Sequence, residues 1–190
     1  MNPNADEIAA LEARLAAVEA DLAIRKLISR YAFAMDDRDL ESIGDLFTRN
    51  ARVWSGDGVM NASGRDELVR LYQGRFAKLG ATNHFVHDIV IDLEGDHRAS
   101  GLVSAHAEVW RNGVQQIAAL RYQDRYEKED GAWRIADRKM LYVYYTPVDR
   151  YDGILGTLKR NLTNGQATDA DVPEKTAGFV KYLRLQSQGG

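Results

Sequence analysis

The sequence predicts an α+β fold, with helices on one face of a strongly curved antiparallel sheet. Three observations carry this. The first part of the chain, up to residue 79, is helical in period except for one short hairpin. From residue 82 the apolar period changes from 3.6 to 2 across four long runs. The turns between those runs carry Gly-Asp, Asn-Gly and Asp-Gly, residues that accept the positive φ of hairpin turns. Helices followed by a meander of strands segregate to one side of the sheet. A curved sheet half-closed by helices leaves a deep apolar pocket between the layers, where small molecules bind.

Residues 5 to 35 read as one long helix. Ile8, Leu11, Leu15, Val18 and Leu22 alternate spacings of three and four and draw one apolar stripe, with Ala filling much of the rest. The stripe is expected to pack on the domain's own sheet or on a neighbouring subunit. The heptads stop after about two and a half, too few for a freestanding coiled coil. In "RYAFAMDDRD", residues 30 to 39, the helix reaches Met35 and then meets Asp36, Asp37 and Asp39. Asp39 can cap a second short helix, "LESIGDLF". "ARVWSG" and "VMNASG" read as two short strands around a Gly-Asp-Gly turn at 56 to 58. Residues 65 to 79 are helical in pattern, with Leu68, Leu71, Tyr72 and Phe76 on one side and Gly80 as the stop.

The four long strands are "TNHFVHDIVIDLEGD", "RASGLVSAHAEVWRNG", "VQQIAALRYQDRYEKEDG" and "AWRIADRKMLYVYYT". After Pro147 the alternation is lost. "DGILGTLKRNL" reads as a helix, "TNGQATDADVPE" as a loop and "KTAGFVKYLRLQ" as a last helix. The chain therefore divides into a domain at 1–146, including the long first helix, and an extension at 147–190. The extension is expected to lid the pocket mouth with Tyr151, Leu155 and Leu158.

At 190 residues and 45% hydrophobic, the chain can bury a substantial core. A formal net charge of -3 argues against a nucleic-acid face or a basic membrane patch. There are no cysteines, which excludes disulfides and thiolate chemistry. The first 20 residues have neither a basic n-region nor a long apolar core, and no stretch is long enough to span a bilayer, so a cytoplasmic protein is the default expectation.

Four histidines are available for chemistry. His97 sits in a turn. His84 and His87, three apart in a strand, face opposite sides unless a bulge intervenes. "HFVH" is therefore a poor metal pair, and no third ligand stands at a useful spacing. Neither a metal nor an organic cofactor is expected, since the chain also lacks a phosphate-binding glycine loop. His106 shares a face with Leu102, Ser104, Glu108 and Trp110. Val103, Ala105, Ala107 and Val109 form the other face, which is either core or oligomer contact. His106 is thus left between pocket and surface. Arg138, Met140, Tyr142 and Tyr144 share a face of the last strand, and Tyr122 lies on the strand before it. Such faces are usually packing. A pocket lined by Trp54, Tyr122, Met140 and Tyr142, with His106 beside them, would suit a flat aromatic ligand whose hydroxyls need partners. Asp36 is either a helix terminus or a carboxylate with a task, since three acids exceed what one cap requires.

"YAFAMDDRDLESIGDLF", "TNHFVHDIVIDLEGD" and "YQDRYEKEDGAWRIADRKM" together resemble the SnoaL-like, scytalone-dehydratase-like branch of the nuclear-transport-factor-2-like (NTF2-like) superfamily. The resemblance covers roughly residues 20 to 145. It rests on an Asp after a Tyr-containing helix, a Thr-x-His opening a long strand and a Gly-Trp hairpin followed by an Arg. It implies a cone-shaped fold, often a homotrimer, performing cofactor-free elimination on a hydroxylated aromatic or polycyclic molecule. Asp36 and His84 match the branch's Asp–His pair, with Asp36 orienting His84 as the base. Tyr31 matches a Tyr that serves as the proton donor, with Arg138 and His106 in reserve. The superfamily also contains ligand-binding modules and structural subunits, and isomerases or cyclases that use the same base.

Overall fold

A computed structural model describes residues 3–163 and 165–188. Helix α1 runs Pro3–Asp37 and α2 runs Leu40–Asp45. Strand β1 (Phe47–Ser55) and β2 (Asn61–Ser63) form the short hairpin, and α3 spans Arg65–Phe76. The long strands are β3 (Leu79–Leu93), β4 (Arg98–Arg111), β5 (Val114–Glu129) and β6 (Ala132–Pro147). Strands β7 (Asn161–Thr163) and β8 (Gln166–Thr168) and helix α4 (Ala177–Gln188) complete the chain.

The sheet order is β2-β1-β6-β5-β4-β3. Strands β3 to β6 form the expected antiparallel meander. Strand β1 joins β6 in parallel, a pairing the local hairpin signal could not reveal. Bulges bend the sheet at β3 between Val86 and Ile89, and at β6 opposite Ala119/Leu120 and Arg125/Tyr126. Ile24, Ile28 and Tyr31 of α1, Phe47 of β1 and Leu68 and Tyr72 of α3 fill the concave face. Val103 and Ala105 of β4 close the same core, so that face is interior.

Three local expectations are corrected. Helix α3 stops at Phe76, and Gly80 lies inside β3, where a Cβ would sit 2.5 Å from the Trp110 ring. Gly80 thus gives room for close packing and does not cap the helix. The segment expected to be helical after Pro147 forms two 3₁₀ turns, Val148–Arg150 and Ile154–Gly156, and then strand β7. The stretch read as a loop contains β8; Asn164, within it, lies outside the described residues.

Among the described residues, no helix is long and apolar enough to cross a membrane. Ile8, Leu11, Leu15, Val18 and Leu22 are each more than half exposed, so this chain's own sheet does not cover the α1 stripe.

Candidate active site

The site begins where α1 ends. Arg38 adopts φ +62, the left-handed conformation that terminates helices. Its guanidinium turns back to donate to Met35 O (2.8 Å) and to Thr82 Oγ1 (3.1 Å). It also donates to Gly80 O and lies 4.7 Å from the centre of the Phe76 ring. These contacts satisfy a free helix carbonyl and tie the end of α1 to the start of β3.

That tie brings Asp36 to His84. Asp36 Oδ1 lies 2.6 Å from His84 Nδ1, and Asp36 Oδ2 accepts from the His84 backbone N–H at 2.8 Å. Thr82 Oγ1 donates to Oδ1 at 2.8 Å. Burial pushes the Asp36 carboxyl up, but these hydrogen bonds outweigh it and hold the group below the usual carboxylate range. An ionised Asp36 accepts from Nδ1–H, which leaves His84 Nε2 as the free nitrogen.

His84 opens onto a narrow cavity of about 60 Å³. Its walls include Tyr31 and Met35 of α1, Tyr72 and Arg75 of α3, and Thr82 and His84 of β3. The sheet adds Ala107, Ala118, Tyr122, Met140, Tyr142 and Tyr145, and Arg38 lines the cavity too. The small side chains of Ala107 and Ala118 give the room, and the tyrosines give flat walls with hydroxyls. Tyr31 and Tyr72 hydroxyls are 2.9 Å apart. Burial pushes the Tyr72 hydroxyl well above its ordinary pKa, so it stays protonated.

Of the site residues expected from sequence, Tyr31, His84, Tyr122, Met140 and Tyr142 line the cavity, and Asp36 stands behind His84. Three do not line it. Arg138 is wholly buried, paired with Asp124 at 2.6 and 2.9 Å, and lies 4.2 Å from the ring centres of both Tyr31 and Tyr122. It props the tyrosine wall from behind, and its Nη1 meets no protein acceptor. His106 is on the outer face of the sheet, its Nδ1 2.8 Å from His87 Nε2. The β3 bulge turns His87 and Asp88 outward together, where Asp88 meets Ser104. Trp54 is also on the outer face, donating to Asp137 at 3.2 Å with Arg52 and Lys139 over its ring.

Tyr144 departs from the face of Met140 and Tyr142, because the β6 bulge reverses the alternation after Tyr142. Tyr145 takes its place in the cavity wall, while Tyr144 packs on His106 and Tyr151. Tyr151, one of the residues expected at a lid, is held in that contact. Among the described residues, those that line the cavity end at Tyr145. Residues Asn161 and Leu162 line a smaller hollow beside the mouth. Arg160 anchors this extension, donating to Val143 O and Val172 O and pairing with Glu174.

Arg38 gives no local signal. Thr82 is the Thr of the Thr-x-His that helps carry the resemblance, on the same strand face as His84. Tyr72 lies on the apolar side of its helix, where sequence alone expects packing, and the bulge hides Tyr145.

Among the solved structures that share the fold are three that span most of their own length. A provisionally named scytalone dehydratase from Novosphingobium aromaticivorans is 21% identical, with a TM-score of 0.65 over 70% of this chain and 89% of that one. A hexachlorocyclohexane dehydrochlorinase from Novosphingobium barchaimii is 16% identical, with a TM-score of 0.66 over 72% and 95%. The β subunit of a provisionally named aromatic-ring-hydroxylating dioxygenase from N. aromaticivorans is 25% identical, with a TM-score of 0.56 over 66% and 90%. The first two likenesses speak for the fold alone. No curated protein matches the chain by sequence. The SnoaL-like domain model matches residues 16–139, well over half the chain and the part that holds α1's buried end, α3 and most of the curved sheet. The chain therefore belongs to the SnoaL-like domain family, within the NTF2-like superfamily.

Proposed function

We propose that the protein is a lyase of the dehydratase type, eliminating water or a small fragment from a hydroxylated aromatic or polycyclic molecule, as a step in aromatic-compound catabolism. The observation that carries this reading is the Asp36–His84 contact at the wall of a narrow, tyrosine-lined cavity.

In this reading His84 Nε2 removes a proton from the carbon next to the one bearing the leaving group. The C–H electrons form the new double bond as the C–O bond breaks. The ionised Asp36 stabilises the imidazolium so formed. The departing oxygen takes a proton from Tyr31, whose hydroxyl is held by Tyr72. His106 and Arg138 stand away from the cavity wall, which favours Tyr31 as the donor. The base and the hydroxyl pair supply both proton transfers, so the reaction needs no cofactor. We place the protein in the cytoplasm, as a homotrimer.

The test is turnover of aromatic diols and benzylic alcohols by the wild type and two variants. His84→Ala is expected to lose ~10²–10⁴-fold, the range of a general base. Asp36→Asn is expected to keep the fold and lose most of the rate, because it supports the wrong tautomer. Full activity in His84→Ala would show the mechanism to be wrong. The likeness to a dioxygenase β subunit favours one second reading, a non-catalytic subunit module. On that reading neither substitution changes anything but ligand affinity.

A further inference from the structure

The cavity mouth is cationic in a chain whose net charge is -3. Arg75, in the last turn of α3, lines the cavity that holds His84. It also lines the adjoining hollow with Arg111, Tyr142, Tyr145 and Asn161, and the open vestibule with Arg70, Lys78 and Arg111. Arg75 and Arg111 are half-buried, and they reach the mouth from different elements, α3 and β4. Among the described residues, none of these four cations takes part in an ion pair. By contrast, Arg25, Arg49, Arg65, Arg134, Arg138 and Arg160 are all paired.

Helix electrostatics account for a cation at the end of α3. They do not account for Arg111, which comes from β4. One carboxylate lines these hollows, that of Asp57, and it holds the β1–β2 turn by accepting from Ser55 Oγ at 2.5 Å and Val59 N at 3.1 Å. Two half-buried guanidinium groups beside a tyrosine-walled cavity match a planar anion, which arginine binds in a two-pronged fashion.

We propose that Arg75 and Arg111 bind a carboxylate carried by the substrate, so that the ligand is an aromatic acid with its ring beside His84 and its anionic group at the mouth. This rests on the reading of the cavity as the substrate site. It extends that reading from an aromatic molecule to an aromatic carboxylate. Arg70 and Lys78 share an open hollow with Arg75 and Arg111, and their charge favours the approach of an anion.

The probes are 6-hydroxy-2-naphthoate and its neutral carboxamide, titrated by fluorescence against the full-length wild type, Arg75→Gln, Arg111→Gln, the double variant and His84→Ala. The wild type should bind the acid at least ~10-fold tighter than the amide, as expected of hydrogen bonds to a charged group. The double variant should lose that preference while its affinity for the amide and its melting temperature stay unchanged. Raising salt from about 50 to 500 mM should weaken the acid and leave the amide alone. His84→Ala should keep the preference, so failure of the base and failure of the mouth give separate results. The proposal is overturned if acid and amide bind equally, if the acid does not bind at millimolar concentration, or if the double variant keeps its preference. Inorganic phosphate binding more tightly than the naphthoate would also overturn it, by making the cluster a site for free anions.

Discussion

Asp36 accepts three hydrogen bonds while standing at the last turn of a helix, where a negative charge opposes the macrodipole. The last turn of α1 contains no basic residue to compensate. Relief comes from outside the helix: Arg38 just past its end, Thr82 and His84 across the gap. A local rule broken and then repaired by long-range contacts is characteristic of functional sites. The surplus acid was legible in the sequence because three acids crowd one helix end. Its repair was not, because Arg38 and Thr82 meet only when α1 and β3 are brought together. The depressed Asp36 pKa has a consequence for acid stability. The contribution of the ionised group is complete above the unfolded carboxylate value, about 3.9, and is lost as pH falls through the lower folded value. Melting temperatures measured from pH 6 downward should therefore show wild type above Asp36→Asn, with the gap closing below about pH 4. A gap that stays constant into strong acid would contradict an ionised Asp36.

At the scale of elements, alternation sorted the two faces of β4 as the structure has them, since that strand pairs with β5 without a break. It failed on β6 beyond Tyr142 and on β3 from Asp88, because one extra residue in a strand reverses every face that follows. No residue at those points announces a bulge. Alternation also could not show that Arg138, on the face of Met140, is hidden behind the tyrosines by its pairing with Asp124. Those two residues are register partners across β5 and β6, both wholly buried, and Tyr126 also donates to Asp124 at 2.7 Å. Removing one member strands the other charge. Arg138→Met should destabilise the fold by about 3–5 kcal/mol, read from urea unfolding. The double change Arg138→Met with Asp124→Leu should recover much of that loss, because an apolar pair has no charge left to satisfy. A single variant as stable as wild type would show that the pair does not hold these strands.

Among the apolar surfaces that the described residues leave uncovered are the outer face of the sheet and the stripe of α1. Helices α1, α2 and α3 occupy the concave side of the sheet, so nothing of the first 146 residues remains to cover the outer face. There Phe85, Val90, Leu102 and Trp110 are each more than 40% exposed. The stripe of α1 is uncovered as well, with Leu15 58% and Leu22 60% exposed. The helical period of the stripe was plain in the sequence. What covers it was not, because periodicity names a buried face and not its partner. Contiguous exposed apolar surface of this kind marks protein contacts, and a second and third copy of the chain are the partners we expect. Light scattering at micromolar concentration should give three times the 21.3 kDa chain mass. Leu102→Glu and Trp110→Glu together should lower that mass, since each puts a charge into the outer-face contact. Deleting residues 1–19 should weaken the trimer without abolishing it, because the sheet faces remain. A wild-type mass equal to a single chain would mean that both surfaces serve something other than self-association.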